Sequence, residues 1–175
     1  MITLRQATLE ERPAIADLTL DAYAEYADEM GEESWLRYAQ STRELILTDP
    51  SLLRMVAVED DDIVGSVVYC PPYEKDFGAQ RIKNPYPEMR LLSIVPRHRN
   101  KGIADKLINA CEQKAAQENS AAITLHTTRL MAVAKAMYER RGYQRFSEID
   151  FHLAPDVVVL GYVKKLDNGV NHDSN

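Results

Sequence analysis

The sequence predicts an α/β (α+β) fold in which helices flank a mixed, mostly antiparallel central sheet. Three observations support this prediction. Apolar residues recur at helical spacing in four segments. Between those segments lie short runs rich in aliphatic residues, as expected of strands. The length of 175 residues suits one domain, since single cores usually serve about 100–200 residues.

The elements follow one another in the order β-α-α-β-β-β-α-β-α-β-β. Thr8 and Glu11 fit a capping box that opens the first helix, because each side chain can accept a hydrogen bond from an exposed helix-start amide. Further helices are predicted over residues 34–47, 101–115 and 130–141. Strands are predicted over residues 2–6, 52–59, 63–70, 88–95, 122–126, 143–153 and 157–166.

The segment from residue 73 to residue 87 shows no clear period. We therefore expect a long loop there, and long loops in compact domains are often functional. The domain is predicted to cover residues 1–166. The polar tail at residues 167–175 is expected to be disordered.

Charge and composition exclude several classes of function. The formal net charge of −6 argues against a nucleic-acid binder, since phosphate contacts need clustered Lys and Arg. Uninterrupted apolar runs are only a few residues long, whereas a membrane span needs roughly 20, and the first residues lack a signal-peptide pattern. Cys70 and Cys111 lack metal-ligand or CxxC spacing, so we expect reduced thiols, no metal site and a cytoplasmic location.

A basic turn lies between the strand at residues 88–95 and the helix that follows it. Arg97-His98-Arg99-Asn100-Lys101 precedes Gly102 and Ala104, whose small size lets a phosphate approach the backbone closely. The first amides of a helix have no internal acceptor and lie at the positive end of its dipole. The turn is therefore predicted to bind a diphosphate.

Two motifs carry a resemblance to a known family. Arg99-Asn100-Lys101-Gly102-Ile103-Ala104 resembles the (Gln/Arg)-x-x-Gly-x-(Gly/Ala) motif of GNAT acetyltransferases, and it follows a strand that ends in an aliphatic-x-Pro turn. Ala134-Lys135-Ala136-Met137-Tyr138-Glu139-Arg140-Arg141-Gly142-Tyr143 is similar to the family's Ala-x-x-x-Tyr helix followed by Gly-aromatic. The element order also matches over roughly residues 1–166, and implies the GNAT (acyl-CoA N-acyltransferase) fold.

The resemblance implies an acetyl-coenzyme A-dependent N-acetyltransferase that acts on a primary amine by direct transfer in a ternary complex. Tyr138 would protonate the leaving thiolate. Met131 stands where many relatives carry an Asn that bonds coenzyme A. Backbone groups of Ile94 and Val95 would hold the pantetheine arm. The pyrophosphate would be held by the amides of Arg99, Asn100, Lys101, Gly102, Ile103 and Ala104.

Glu88 is the candidate general base, acting directly or through a water chain, because it matches an acidic residue that many relatives place at the start of this strand. The alternative is a strand-end glutamate that faces solvent. For Tyr138, the alternative is a core tyrosine on an amphipathic helix. Acidic side chains between residues 25 and 33 either draw a cationic acceptor or form a solvated helix end.

The amine acceptor stays open between a small metabolite, an antibiotic amine, and a protein N-terminus or lysine. A homodimer is an expectation at the level of the family only. One alternative function is a coenzyme A-binding sensor or partner module without acyl transfer. Another is binding of a different phosphorylated ligand, but the chain has neither a Gly-x-x-x-x-Gly-Lys-(Ser/Thr) loop nor a Gly-x-Gly-x-x-Gly turn.

Overall fold

Helices accompany a mixed, mostly antiparallel sheet in the structure, a computed structural model, and this confirms the predicted fold class. The structure describes residues 1–154 and 157–167. The predicted disordered tail therefore lies, from residue 168 onward, outside the described residues. Contacts divide the chain into two compact units: Met1–Pro71 with Met89–Ala110, and Pro72–Glu88 with Cys111–Asn175.

The helices and strands are numbered in chain order. The helices are α1 (Arg12–Tyr23), α2 (Ala27–Met30), α3 (Glu32–Thr48), α4 (Ile103–Gln117) and α5 (Ala132–Arg140). The strands are β1 (Thr3–Gln6), β2 (Leu53–Glu59), β3 (Asp62–Cys70), β4 (Tyr73–Phe77), β5 (Gln80–Asn84), β6 (Glu88–Ile94), β7 (Ala122–Thr127), β8 (Gln144–Arg145), β9 (Phe151–Ala154) and β10 (Val157–Lys165).

The first unit contains an antiparallel run of strands. β1 pairs with β2, β2 pairs with β3, and β6 is the next neighbour of β3. The strands predicted over residues 52–59 and 63–70 are confirmed, and they form a hairpin: Asp60 and Asp61 make a two-residue turn, both with positive φ, which matches the twist of the flanking strands. Ile15 of α1 and Ile46 of α3 pack against Val56 of β2, and all three side chains are fully buried.

A buried arginine ties α3 to β2 in this unit. The Arg54 side chain donates hydrogen bonds to the carbonyl oxygens of Leu45, Ile46, Leu52 and Asp49 at 2.6–2.9 Å. The last carbonyls of a helix have no internal donor and lie at the negative end of its dipole. Arg54 therefore closes the C-terminal end of α3.

The second unit is built around β10. This strand pairs antiparallel with β7, β8 and β9. Ile82, Ile149, Phe151 and Val159 form a buried apolar cluster. Phe77 stacks on Phe151 with ring centroids 4.1 Å apart, so that β4 and β9 share this core.

The prediction of a long loop over residues 73–87 was wrong. Strands β4 and β5 form an antiparallel hairpin there, with Phe77 opposite Gln80 across a two-residue turn. Gly78 adopts a φ of +61° at this turn, a conformation that glycine reaches without steric cost. Most side chains of the hairpin are exposed and only Ile82 and Asn84 are buried, so its apolar alternation is too weak to reveal a strand.

The single strand predicted over residues 143–153 was also wrong. The segment is divided into β8, a short helical turn at Ser147–Ile149, and β9. A Cβ atom at Gly161 would lie 2.5 Å from the Phe146 carbonyl oxygen, so the chain passes very close to β10 at this point. The Asp150 carboxylate accepts a hydrogen bond from the Gly161 amide at 2.7 Å, which holds the bend in place.

Candidate active site

The basic turn and the start of α4 provide a surface for an anion. Asn100 and Gly102 both have positive φ, +61° and +75°, and the bond from the Lys106 amide to the Gly102 carbonyl, 3.2 Å, closes the first helical turn. Residues of this kind that alternate with a residue of negative φ, here Lys101, turn backbone N–H groups toward one side. The side chains of Arg97 and Lys101 are exposed beside them.

The residues present at this turn fit a diphosphate. A Cβ atom placed on Gly102 would meet nothing within 4 Å, so there is open space over its backbone for a phosphate. On the opposite side the turn is packed tightly: a Cβ on Gly65 of β3 would lie 2.9 Å from Ile94 Cδ1 and 3.1 Å from Ile103 Cγ2. The close approach of β3 holds the end of β6 and the start of α4 in place.

The end of β6 shows which backbone groups are already used. The Val95 amide donates to the Val64 carbonyl at 3.0 Å, and the Val95 carbonyl accepts the His98 amide at 2.8 Å. The polar groups of consecutive strand residues point to opposite sides, so those of Ile94 face away from β3. For the predicted pantetheine contacts, Val95 therefore offers only the second lone pair of its carbonyl.

Leu91 interrupts β6 with a φ of +53°. This conformation is sterically costly for leucine, and such residues cluster at functional sites. The Ser93 hydroxyl donates a hydrogen bond to the Leu91 carbonyl at 2.9 Å, which stabilises the irregularity. No signal in the sequence reveals it, because leucine does not favour positive φ.

Glu88 is fully buried, with 0 % of its surface exposed, so the alternative of a solvent-facing glutamate was wrong. Its Oε2 atom accepts hydrogen bonds from the Tyr73 hydroxyl at 2.9 Å and from Asn84 Nδ2 at 3.1 Å. His126 Nδ1 lies 3.0 Å from the same oxygen. Asn84 Nδ2 also donates to Thr124 Oγ1 at 2.7 Å. The carboxyl group therefore lies in a network of polar side chains inside the second unit.

Tyr73, Asn84 and His126 were not predicted as neighbours of Glu88. Tyr73 and Asn84 belong to the hairpin that was predicted as a loop, and His126 is the last residue of the strand predicted over residues 122–126. A buried glutamate in a globular core needs such partners, and burial cannot be read from the sequence.

Tyr138 lies on α5 with 8 % of its surface exposed. Its ring packs edge to face on Tyr143, with centroids 5.8 Å apart. The Tyr143 hydroxyl donates to Glu112 Oε1 at 3.0 Å, and burial together with the Glu112 carboxylate raises the pKa of Tyr143. Tyr143 therefore stays protonated and fixes the ring of Tyr138, whose role as proton donor stays a prediction.

The described residues contain neither a disulfide nor a metal site. Cys70 and Cys111 are buried and neither forms a disulfide. Within residues 1–154 and 157–167, no three His, Cys, Asp or Glu side chains come together in a way that could hold a metal ion. In the same part of the chain, every helix is too short or too polar to cross a membrane.

Comparisons with known proteins agree on one family. Residues 14–143 match the model of the acetyltransferase (GNAT) family. The uncharacterized N-acetyltransferase YhfO of Bacillus subtilis strain 168 is 26 % identical over 146 residues, which cover 82 % of this chain and 90 % of the relative.

Solved structures of the same family share the fold. A GNAT acetyltransferase from Staphylococcus aureus Mu50 superimposes with a TM-score of 0.71 at 16 % identity, covering 95 % of this chain and 99 % of that one. The PaiA N-acetyltransferase from Thermoplasma acidophilum, in complex with coenzyme A, gives a TM-score of 0.69 at 16 % identity, covering 94 % and 99 %.

Proposed function

This chain belongs to the acetyltransferase (GNAT) family, and we propose that it transfers an acetyl group from acetyl-coenzyme A to a primary amine by direct transfer in a ternary complex. One observation carries the proposal. The carboxyl group of Glu88 is fully buried and held by polar side chains, in the same compact unit as Tyr138. We propose that Glu88 and Tyr138 of this unit act as the proton acceptor and the proton donor of the reaction.

The turn before α4 is proposed to hold the coenzyme. The amides of Arg99, Asn100, Lys101, Gly102, Ile103 and Ala104 would bind the pyrophosphate, since a helix start with open space over Gly102 suits an anion. Backbone groups of Ile94 would bind the pantetheine arm, with the Val95 carbonyl as a further acceptor. The structure of the Thermoplasma acidophilum N-acetyltransferase in complex with coenzyme A supports the choice of this ligand. When bound, acetyl-coenzyme A supplies the acetyl thioester that the amine attacks.

Glu88 is proposed as the general base. An alkyl ammonium with a pKa of about 10.4 is mostly protonated at neutral pH, and removing its proton at pH 7 costs roughly 4–5 kcal/mol. Only the free amine can attack a thioester. A base that receives this proton within the protein lowers that barrier, and general base catalysis of this kind contributes about 10²–10⁴-fold in rate.

Tyr138 is proposed as the general acid. A coenzyme thiol resembles a Cys thiol, with a pKa of about 8.5, and a tyrosine hydroxyl with a pKa of about 10 is a suitable donor to it. As the C–N bond forms and the C–S bond breaks, Tyr138 gives its proton to the leaving sulfur. The phenolate then takes up the second proton of the former amine nitrogen, so that Tyr138 is restored and one proton per turnover remains on the Glu88 side.

The surface charge favours a cationic acceptor. Five acidic side chains near the end of α1, in α2 and at the start of α3 are exposed, and they would attract an ammonium group at low ionic strength. They are Glu25, Asp28, Glu29, Glu32 and Glu33. The candidate acceptors are a polyamine-like or amino-acid-like metabolite, an antibiotic amine, and a peptide N-terminus or lysine.

A panel of amines from these classes tests the proposal. We expect thiol release from acetyl-coenzyme A with at least one class, together with the acetylated amine detected by mass spectrometry. Tight coenzyme A binding by calorimetry, combined with no turnover on any small amine or peptide, would overturn the proposal. The alternative of a coenzyme A-binding sensor without acyl transfer would then hold.

A further inference from the structure

His126 has one ring nitrogen whose protonation the structure determines. Its Nε2 lies 2.8 Å from the carbonyl oxygen of Ile149. A backbone carbonyl can only accept a hydrogen bond, so Nε2 carries a proton. In a neutral imidazole, Nδ1 then has a lone pair and no proton.

That tautomer conflicts with the position of Glu88. Nδ1 lies 3.0 Å from Glu88 Oε2, and a lone pair facing a carboxylate oxygen at this distance is repulsive. One proton placed between the two atoms converts the contact into a hydrogen bond. Because both side chains are buried, with 0 % of Glu88 and 10 % of the His126 side chain exposed, the pair without this proton is a poorly solvated anion. The geometry therefore provides one position, between Glu88 Oε2 and His126 Nδ1, for a proton that the two residues share.

A proton reaches Glu88 only through a neighbouring group, since none of its surface contacts solvent. Tyr73 is half-buried, and its hydroxyl donates to Glu88 Oε2 at 2.9 Å. A hydroxyl can accept one proton while it gives up another. Tyr73 is thus the hydroxyl-bearing neighbour that we assign to carry a proton to the buried carboxyl group.

We propose, on the basis of the acetyl transfer proposed above, that Tyr73, Glu88 and His126 form a proton relay. The ammonium N–H bond breaks as Tyr73 Oη takes up that proton, directly or through a water. The original Tyr73 proton moves to Glu88 Oε2, where His126 Nδ1 shares it. In this step the net charge of the amine changes from +1 to 0, and the net charge of Glu88 and His126 together changes from −1 to 0. After transfer the proton returns to solvent by the same route.

Further titratable groups surround the pair. Asp150, next to the helical turn at Ser147–Ile149, interacts with His126 through its charge. The Arg145 guanidinium and the Gly161 amide hydrogen-bond Asp150 and, against the opposing effect of burial, lower the pKa of that carboxyl group. Asp150 therefore stays ionised while the pair titrates. From β5 and β7, the pair is faced by the uncharged Asn84 and Thr124.

Kinetics over a pH series test the relay with the amine found for the wild type. We expect kcat to rise with pH, since the base accepts the ammonium proton only when the pair is without its shared proton. In His126→Gln the carboxylate loses the partner that shares this proton, so the midpoint of the kcat profile moves to lower pH and kcat falls about 10-fold. In Tyr73→Phe, kcat falls about 10-fold with KM little changed. A purely structural role of His126 would lower kcat without moving the midpoint.

Two matched controls lie in the same unit. Tyr86→Phe removes a hydroxyl from another half-buried tyrosine, and His152→Gln replaces an exposed histidine. Both are expected to keep the wild-type kcat and midpoint. Wild-type kinetics in both Tyr73→Phe and His126→Gln would overturn the relay while leaving acetyl transfer intact.

Nitrogen NMR of the His126 ring gives a readout that does not depend on activity. We expect a proton on Nε2 in the wild type, and an Nδ1 signal that changes in Glu88→Gln because Nδ1 no longer shares a proton with a carboxyl group. An Nδ1 signal that is the same in the wild type and in Glu88→Gln would overturn the relay. No turnover with any amine, together with an Nδ1 signal that does respond to Glu88→Gln, would instead overturn the proposed function, and the relay with it.

Discussion

The guanidinium group of Arg99 lies against the carboxylate of Glu25, with Nη2 3.2 Å from Oε1. The same nitrogen lies 3.4 Å from the Ala22 carbonyl at the end of α1. Arg99 belongs to the turn that is proposed to hold the coenzyme pyrophosphate. Glu25 would therefore compete with the proposed pyrophosphate for this cation, and the exchange of one anion for another would reduce the net gain in free energy on binding.

Glu25→Gln is expected to tighten coenzyme A binding. Both side chains of the pair are partly exposed, 39 % for Arg99 and 48 % for Glu25, and exposed ion pairs are worth about 0–1 kcal/mol. The dissociation constant measured by calorimetry should therefore fall by up to about 5-fold. Glu29→Gln is the matched control, since it removes the same charge from an exposed position nearby. An equal effect of both variants would show that only the overall charge matters.

Arg54 is predicted to be essential for the stability of the first unit. Only 4 % of its surface is exposed, and Arg54→Met leaves four carbonyl oxygens without their donor. The expected loss is about 3 kcal/mol or more in the free energy of unfolding, measured by urea denaturation. Arg37→Met on α3, where 72 % of the arginine side chain is exposed, should cost about 0.5 kcal/mol or less. Similar losses in the two variants would contradict the assigned role.

Much of the fold could be predicted because local chemistry specifies it. The β2–β3 hairpin follows from two aliphatic runs around an acidic turn, and α3 follows from its periodicity and from Pro50 beyond its end. The predictions for two segments were wrong for a common reason. The β4–β5 hairpin and the bend between β8 and β9 depend on contacts with distant residues, such as Phe77 on Phe151 and Asp150 on Gly161.

The candidate site likewise has one part that the local sequence predicts and another part that it does not. The basic turn was predictable because glycine and clustered cations carry their own signal for an anion. Glu88 was predicted from its position in a motif, whereas its partners were not. Tyr73, Asn84 and His126 lie 15, 4 and 38 positions away from it, and only the folded chain brings them to one carboxylate oxygen. The positive φ of Leu91 had no local signal at all.

The ion pair at the start of α1 predicts a pH dependence of stability. Hydrogen bonds from the Arg5 guanidinium and from the Thr8 amide lower the pKa of Glu11 to about 2. The amide contact confirms the Glu11 half of the predicted capping box, although α1 begins only at Arg12. A carboxyl group with a lowered pKa in the folded state stabilises the fold above its unfolded pKa of about 4.3, and this contribution is lost as the pH falls toward 2.

Glu11→Gln is therefore expected to lower Tm at pH 7 by about 2 °C, the order expected for an exposed pair. The difference from the wild type should shrink below pH 4.3 and vanish near pH 2. Glu44→Gln, at an exposed position on α3, controls for the loss of one negative charge. A difference between Glu11→Gln and the wild type that persists unchanged near pH 2 would contradict this assignment.

The central claim is that Glu88 and Tyr138 are the base and the acid of an acetyl transfer. The most direct measurement is kcat with the best amine for the wild type, Glu88→Gln and Tyr138→Phe, beside the dissociation constant of coenzyme A for each. We predict a loss in kcat of about 100-fold or more in each variant. Coenzyme A binding should stay within about 2-fold of the wild type, because the contacts proposed for the pyrophosphate and the pantetheine arm come from other residues. Wild-type kcat in both variants would contradict it.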